Sequence, residues 1–312
     1  MAAGESVKAA PGTIAPSQIV DAHQHFWYPD MHTHAWLDEP PPGAAFQGDM
    51  RPIWGAYGPA DFHLDVNGSH VVKSVYIECG WTPPDTFGEV RWAQSLADEG
   101  GFPHAIIGYA RLEDPNLRSV LESCAQFPNF RGIRQALTED PTQDHPDPAP
   151  SAMVADPQWR NGLRTLAEMG LTLDLVMSPW QMREAATLAQ ANPDLTFIVN
   201  HAGMPAQRHQ EYLQLWRDGL RSLGRFENVA IKLSGLGMFD HQWSVESIRP
   251  LVTEALDLFG PDRAMFASNW PVDRLYSSYG DLVRALIEIM TPYTTHERER
   301  FFANTAIEFY RL

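Results

Sequence analysis

The sequence has few cysteines and a shortage of basic residues. Cys79 and Cys124 are its only cysteines in 312 residues, and they lack the CxxC spacing of a zinc or redox site. We expect both to be buried free thiols. The formal charge of −16 argues against nucleic acid or an anionic membrane as a partner, because both demand a basic surface. A small-molecule substrate is therefore the expected partner.

Long apolar runs are also missing. No stretch approaches the ~20 residues needed to cross a bilayer, and residues 1–17 contain no apolar core of signal-peptide length. We expect residues 1–18 to be a disordered leader on a cytoplasmic protein and residues 19–312 to form one domain. Assembly into a homo-oligomer is left open.

Short apolar runs bounded by turn residues are present instead, and they predict eight strands. Between most of them, apolar residues recur at three and four positions, which predicts helices. Such alternation indicates parallel βα units, and eight units close a TIM barrel; a doubly wound open sheet is the alternative. The predicted strands are 19–26, 71–79, 105–112, 130–137, 171–177, 196–202, 229–236 and 264–270. The predicted helices are 87–99, 116–126, 156–169, 179–191, 207–223, 245–259 and 280–290.

The first connection, 28–70, is the long exception among the predicted loops. It is rich in aromatic residues, which suggests either a lid over a pocket or a cover for the barrel edge. The strand before it ends in His-x-His. His23 and His25 lie two residues apart, so they project from the same side of one strand and can hold a metal ion or an oxyanion at the catalytic rim.

Polar residues follow the other predicted strands, where a TIM barrel gathers its chemistry. Some have a purely structural alternative: His201 as a hydrogen-bonded structural histidine, and Lys232 as the partner of a buried acid. Arg131 and Arg134 lie in one predicted strand. We expect one of them to pair with a carboxylate outside the pocket and the other, for which we prefer Arg134, to reach into the pocket. Ten tryptophans suggest an apolar wall for a planar ligand, although such a rim is also common packing. The residues expected to bind substrate are Glu78, Trp81, Arg131, Lys232 and Trp270.

Five motifs stand at or near the ends of predicted strands: Asp21-Ala22-His23-Gln24-His25-Phe26-Trp27, Arg131-Gly132-Ile133-Arg134-Gln135, Asn200-His201-Ala202-Gly203-Met204-Pro205, Lys232-Leu233-Ser234-Gly235-Leu236 and Ala267-Ser268-Asn269-Trp270-Pro271. In this order they resemble the strand-end motifs of the amidohydrolase superfamily. Its closest branch contains the lactonases, such as L-fuconolactonase and 2-pyrone-4,6-dicarboxylate lactonase. The resemblance covers about 19–312 and implies a distorted TIM barrel that hydrolyses cyclic esters of sugar acids or of aromatic-ring breakdown products.

Carried over by position, the resemblance implies that His23, His25 and His201 surround the substrate carbonyl or a divalent metal. Arg134 would grip a substrate oxygen. The family's water-activating carboxylate belongs at the end of strand eight, where this chain has Asn269. An amide cannot take a proton from water at neutral pH, so the family mechanism does not carry over unchanged.

Two other carboxylates are candidates for the missing base. Asp273 lies four residues after Asn269 and is our prediction, with Glu78 as its competitor. Alternatively, Asp273 caps the following helix or pairs with a surface cation such as Arg274. The loss of the strand-eight carboxylate also predicts that no metal is required. If a zinc-type divalent ion is bound, its ligands would be His23, His25, Glu78 and His201.

The leading functional hypothesis is therefore hydrolysis of a lactone by attack of water on its carbonyl. A second hypothesis is a metal-dependent decarboxylase of an unsaturated or aromatic acid, because the superfamily also contains such lyases. The third is a catalytically weakened barrel that only binds such ligands, which Asn269 motivates.

Overall fold

The computed structural model describes residues 15–38, 44–137 and 152–312, so most of the predicted leader 1–18 lies outside the described residues. Within those ranges, eight parallel strands form one sheet in which each strand pairs with the next along the chain. The strands are β1 (Ile19–Gln24), β2 (Val71–Ile77), β3 (Ala105–Tyr109), β4 (Phe130–Ala136), β5 (Thr172–Val176), β6 (Phe197–Val199), β7 (Val229–Leu233) and β8 (Ala264–Phe266).

Backbone hydrogen bonds join the last strand segment to the first. The Asn269 N–H donates to the His23 carbonyl at 2.8 Å, and the His25 N–H donates to the Trp270 carbonyl at 2.7 Å. The sheet is thus a nearly closed barrel of the (β/α)8 type, as the sequence predicts, and the alternative of an open doubly wound sheet is wrong.

Amphipathic helices surround the barrel. In the helix Gln210–Leu223, for example, Tyr212, Trp216 and Leu220 recur every four residues and are buried. The helices are α1 (Ala35–Asp38), α2 (Pro59–Asp65), α3 (Thr86–Gly100), α4 (Leu117–Cys124), α5 (Ala152–Ala155), α6 (Pro157–Glu168), α7 (Met182–Ala191), α8 (Gln210–Leu223), α9 (Val245–Phe259), α10 (Tyr279–Ile289), α11 (Thr295–Glu299) and α12 (Thr305–Tyr310). None of the helices in these ranges has the length and apolar composition needed to cross a bilayer.

Small and branched side chains fill the barrel interior, and α12 contributes to this core. Tyr310 packs there with residues such as Val75 and Ala230. Arg131 holds the same segment: its Nε donates to the Tyr310 carbonyl at 2.7 Å. The expectation that Arg131 binds substrate therefore needs correction, because its side chain is committed to the chain's C-terminal segment.

The long β1–β2 connection reaches the loops that follow β7 and β8. The ring of Phe46 stacks on Phe239 with centroids 5.2 Å apart, and Tyr276 donates a hydrogen bond to the Gln47 carbonyl. These contacts place the connection at the carboxyl-terminal end of the barrel. Both cysteines are free and buried, as expected.

Candidate active site

Three histidine rings converge at the carboxyl ends of β1 and β6. The Nε2 atoms of His23 and His25 lie 3.2 Å apart, and the ring centroids of His23 and His201 lie 4.6 Å apart. All three residues are buried. The fold therefore brings together imidazoles from two distant segments of the chain.

A β-bulge in β1 aims the first two histidines into the barrel. Ala22 belongs to the interior core, so simple alternation would direct His23 and His25 outward. Between Asp21 and Gln24, however, β1 advances three residues while β2 advances two. The extra residue reverses the alternation and turns both rings inward, as bulges beside active sites commonly do.

Hydrogen bonds fix the tautomer of one of these rings. His25 Nδ1 lies 2.8 Å from the Ile77 carbonyl, which only accepts, so Nδ1 carries the proton and Nε2 offers a lone pair. His201 Nδ1 lies 3.1 Å from Ser234 Oγ. His23 Nδ1 has no hydrogen-bond partner within the described ranges.

The rings are held in their neutral form. Burial, assisted by the Arg134 charge, lowers the pKa of His25 to about 3. Burial also holds the pKa of His23 and of His201 well below the usual range, with Lys232 the next contributor for His23 and Arg134 for His201. At neutral pH these rings therefore act as hydrogen-bonding groups and proton acceptors, not as cations.

Arg134 enters the site already paired with Glu78. Its Nε donates to Glu78 Oε1 and its Nη2 to the Glu78 carbonyl, both at 2.6 Å. The other oxygen, Oε2, accepts a hydrogen bond from the Gly80 N–H at 2.9 Å. A guanidinium has five N–H donors, so Arg134 keeps donors for a substrate oxygen while its charge is balanced.

Asn269 and Asp273 form a hydrogen-bonded couple at the end of β8. Asn269 Nδ2 donates to Asp273 Oδ2 at 2.7 Å, and the Gly237 N–H donates to Asp273 Oδ1 at 3.0 Å. Burial raises the pKa of Asp273 to about 7. The carboxylate does not cap the following helix α10, whose N-cap is Ser278, and it does not pair with Arg274, whose ion-pair partner is Asp65. Because both oxygens are engaged, this placement favours a supporting role over the direct general base that the sequence suggests.

Lys232 lies beneath the histidines, in the floor of the site. Its Nζ is 2.5 Å from Asp174 Oδ1, and both side chains are fully buried. Asp174 also accepts hydrogen bonds from Asn200 and Tyr310, and burial lowers the pKa of Lys232 to about 8. The structural alternative is the better description here: Lys232 neutralises a buried acid, and the expectation that it touches substrate needs correction.

The two tryptophans of the prediction are placed differently from each other. Trp270 is buried with its Nε1 donating to Asp65 at 2.8 Å, so it packs behind the site and is not a pocket wall. Trp81 lines a cavity of about 220 Å³ together with Glu78 and Tyr109. That cavity borders the Arg134 ion pair, at the carboxyl ends of β2 to β4.

Two buried carboxyl groups beside the site were not singled out by the sequence. Asp21 accepts hydrogen bonds from the Ser268 hydroxyl at 2.6 Å and from Tyr279 at 3.0 Å, which ties β1 to the end of β8. Glu89, in the first turn of α3, accepts from Tyr76 at 2.9 Å. The only sequence signal for Asp21 was its place directly before the His-x-His motif.

The histidines and their neighbours match the zinc-type ion that the superfamily suggests only in part. The 3.2 Å between the Nε2 atoms of His23 and His25 suits two ligands of a tetrahedral ion, which lie about 3.4 Å apart. Glu78, however, is tied to Arg134, and the strand-eight position holds the neutral Asn269. No three His, Cys, Asp or Glu side chains in the described part of the chain form a set that could hold a metal. The residues present do not complete a metal site.

Comparison with known proteins identifies the family. A model of the amidohydrolase family matches residues 20–312, so the chain belongs to that family. Uncharacterized protein y4mH of Sinorhizobium fredii is 40% identical over 94% of this chain and 98% of its own length. An L-fucono-1,5-lactonase of Burkholderia ambifaria is 28% identical over 94% of this chain and 95% of its own. The crystal structure of an amidohydrolase from Burkholderia multivorans with bound zinc has a TM-score of 0.79 and 25% identity, covering 95% of this chain and 99% of that one.

Proposed function

We propose that this amidohydrolase opens a lactone that carries no charge, such as the lactone of a sugar acid. The charge balance of the site carries the proposal. Among the described residues, the two cations next to the histidines are both paired, Arg134 with Glu78 and Lys232 with Asp174. A substrate carboxylate would find no uncompensated positive charge, and burying it unpaired is costly. The similarity to L-fucono-1,5-lactonases agrees with such a substrate.

The geometry supports a direct hydrolysis. Water attacks the carbonyl carbon while the His25 Nε2 lone pair takes its proton, and the carbonyl electrons move onto oxygen. The free N–H groups of Arg134 donate to that oxyanion. The ring C–O bond then breaks and the leaving oxygen takes the proton from His25, giving a hydroxy acid. The negative charge that forms beside His25 offsets the burial that depresses its pKa in the free site.

A pH-indicator assay tests this function, because each opened ring releases an acid. The panel contains neutral sugar lactones and lactones bearing a free carboxylate, with spontaneous hydrolysis subtracted. We expect turnover of neutral lactones, and a loss of at least ~100-fold in His25→Gln. A preference for anionic lactones would contradict the charge argument, and release of carbon dioxide from an aromatic acid would favour the decarboxylase hypothesis.

The Glu78→Gln variant tests the charge argument directly. It keeps the shape of the side chain but leaves the Arg134 charge unbalanced, so we expect KM for anionic lactones to fall at least ~10-fold relative to neutral ones. Glu113→Gln is the matched control, because it removes the partner of Arg111 in an exposed ion pair. An unchanged ratio of the two KM values in Glu78→Gln would contradict the proposal.

A further inference from the structure

Asp273 is a buried carboxylate without a cation. It is 4% exposed, and no ion pair to it occurs in the described ranges. Its partners are the Asn269 amide and the Gly237 N–H. Such a group costs folding free energy, and costs of this kind are typical of functional positions.

The approach of Asp273 also constrains its neighbours. A Cβ on Gly237 would lie 2.7 Å from Asp273 Oδ1, so any larger residue there would displace the Asp273 carboxylate. Asn269 has a left-handed backbone with φ of 61°, and its N–H is bonded to the His23 carbonyl. The backbone of Asn269 is therefore fixed by the junction of β8 with β1. The orientation of its amide group, which can rotate about the Cβ–Cγ bond, is fixed by the hydrogen bond to Asp273.

We propose that Asp273 is a positioning residue: its carboxylate holds the Asn269 amide so that the amide oxygen faces His25. A carboxylate only accepts hydrogen bonds, so it must bind the amide nitrogen, and the oxygen is then at the other end. Backbone pairing puts Asn269 beside His25, because the Asn269 N–H donates to the His23 carbonyl and the His25 N–H donates to the Trp270 carbonyl. Hydrogen bonding by the Asn269 side chain acts to raise the pKa of His25, against the lowering by burial. An amide oxygen opposite His25 does this, whereas an amide N–H would compete for its lone pair.

The inference rests on the proposed function, in which His25 takes the proton of water. Asp273, Asn269 and His25 then act in series, with Asp273 touching neither the substrate nor the reacting atoms. In the amidohydrolase motif the strand-eight carboxylate itself faces the substrate. In this chain Asn269 holds that position, and the Asp273 carboxylate lies behind it, hydrogen-bonded to its amide.

The experiment compares Asp273→Asn with the exchange Asn269→Asp plus Asp273→Asn at about pH 8. Two facing amides can bond in either orientation, so we expect Asp273→Asn to lower kcat by about 10- to 100-fold, with KM within about threefold. The exchange restores a carboxylate–amide pair of fixed polarity and places an acceptor opposite His25, so kcat should recover at least fivefold over the single variant. Asp281→Asn, an exposed aspartate at the start of α10, is the matched control.

Two results would overturn the proposal: a kcat of Asp273→Asn within twofold of the parent, or an exchange variant that stays as slow as the single variant. Nitrogen NMR of the imidazoles provides a readout that needs no turnover. We expect the His25 Nε2 resonance, assigned with His25→Gln, to move in Asp273→Asn and not in Asp281→Asn. A parent protein that opens no lactone contradicts the proposed function, whereas an unmoved resonance contradicts the positioning role.

Discussion

Three carboxyl groups at or beside the site hold protons more tightly than ordinary carboxyls. Burial raises the pKa of Asp21 to about 6, of Asp273 to about 7 and of Glu89 to about 8. A carboxyl whose pKa is higher in the folded than in the unfolded chain favours folding fully at pH values below its unfolded pKa, near 4. That contribution is lost as pH rises through the folded pKa. The contribution of these residues to the free energy of unfolding therefore falls as the pH rises from about 4 to about 8.

Asp273 allows this effect to be measured alone. Between about pH 5.5 and pH 8.5 its contribution should fall by roughly 2 kcal/mol, because only the unfolded chain is fully ionised at the lower pH. The Tm of Asp273→Asn, relative to the parent, should therefore rise by about 2–4 °C between these pH values in thermal unfolding. Asp281→Asn should not show this rise, because hydrogen bonding lowers the pKa of Asp281. A Tm difference independent of pH would contradict the expectation.

For single residues, the sequence predicts which polar side chains lie at the strand ends. It does not predict which partners the buried charged side chains pair with. His23, His25, His201 and Arg134 stand at strand ends, and the fold gathers them for that reason. The Arg134–Glu78 ion pair joins two strands, so neither motif alone reveals it. Whether Lys232 meets substrate or a buried acid likewise depends on which side chain the neighbouring strand supplies.

At the scale of elements, β6 and β8 are shorter than predicted. The apolar pattern continues to residues 202 and 270, but the regular strands end at Val199 and Phe266, and beyond β8 only an isolated bridge joins Trp270 to β1. His201, Ala202 and Asn269 have positive φ, which no strand accommodates. Periodicity does not report φ, and for the same reason it did not reveal the bulge in β1. Several site residues, namely His23, His201 and Asn269, therefore lie at irregular backbone positions that periodicity cannot predict.

The α12 segment was not among the predicted helices, and its tyrosine supports the floor of the site. The Tyr310 hydroxyl lies 3.0 and 3.1 Å from the two oxygens of Asp174. Tyr310→Phe removes this donor from a buried carboxylate, so we expect the free energy of unfolding to fall by about 1–3 kcal/mol in urea titration. Tyr293→Phe, which alters a half-buried tyrosine away from the barrel interior, should change it by less than about 0.5 kcal/mol. Equal effects of the two variants would argue against the role of the hydroxyl.

At the scale of the whole molecule, this chain differs in its donor set from what a zinc site needs, although a similar amidohydrolase has been solved with bound zinc. Because Asn269 replaces a carboxylate and Glu78 is paired with Arg134, we predict that activity survives chelation. Elemental analysis and assays after dialysis against a chelator provide the measurement. Stoichiometric zinc, with loss of activity on chelation and recovery on adding zinc back, would contradict the prediction and make Glu78 a ligand.

The hydrogen bonds between the Asn269 segment and β1 also bear on how the protein is made. The two chain segments that they join, one near residue 23 and one near residue 269, leave the ribosome far apart in time. Until the later one emerges, His23 and His25 have neither the Asn269 amide nor the backbone partners that hold their strand end in place. A nascent or prematurely terminated chain that stops before residue 269 therefore lacks the partners that complete the candidate active site.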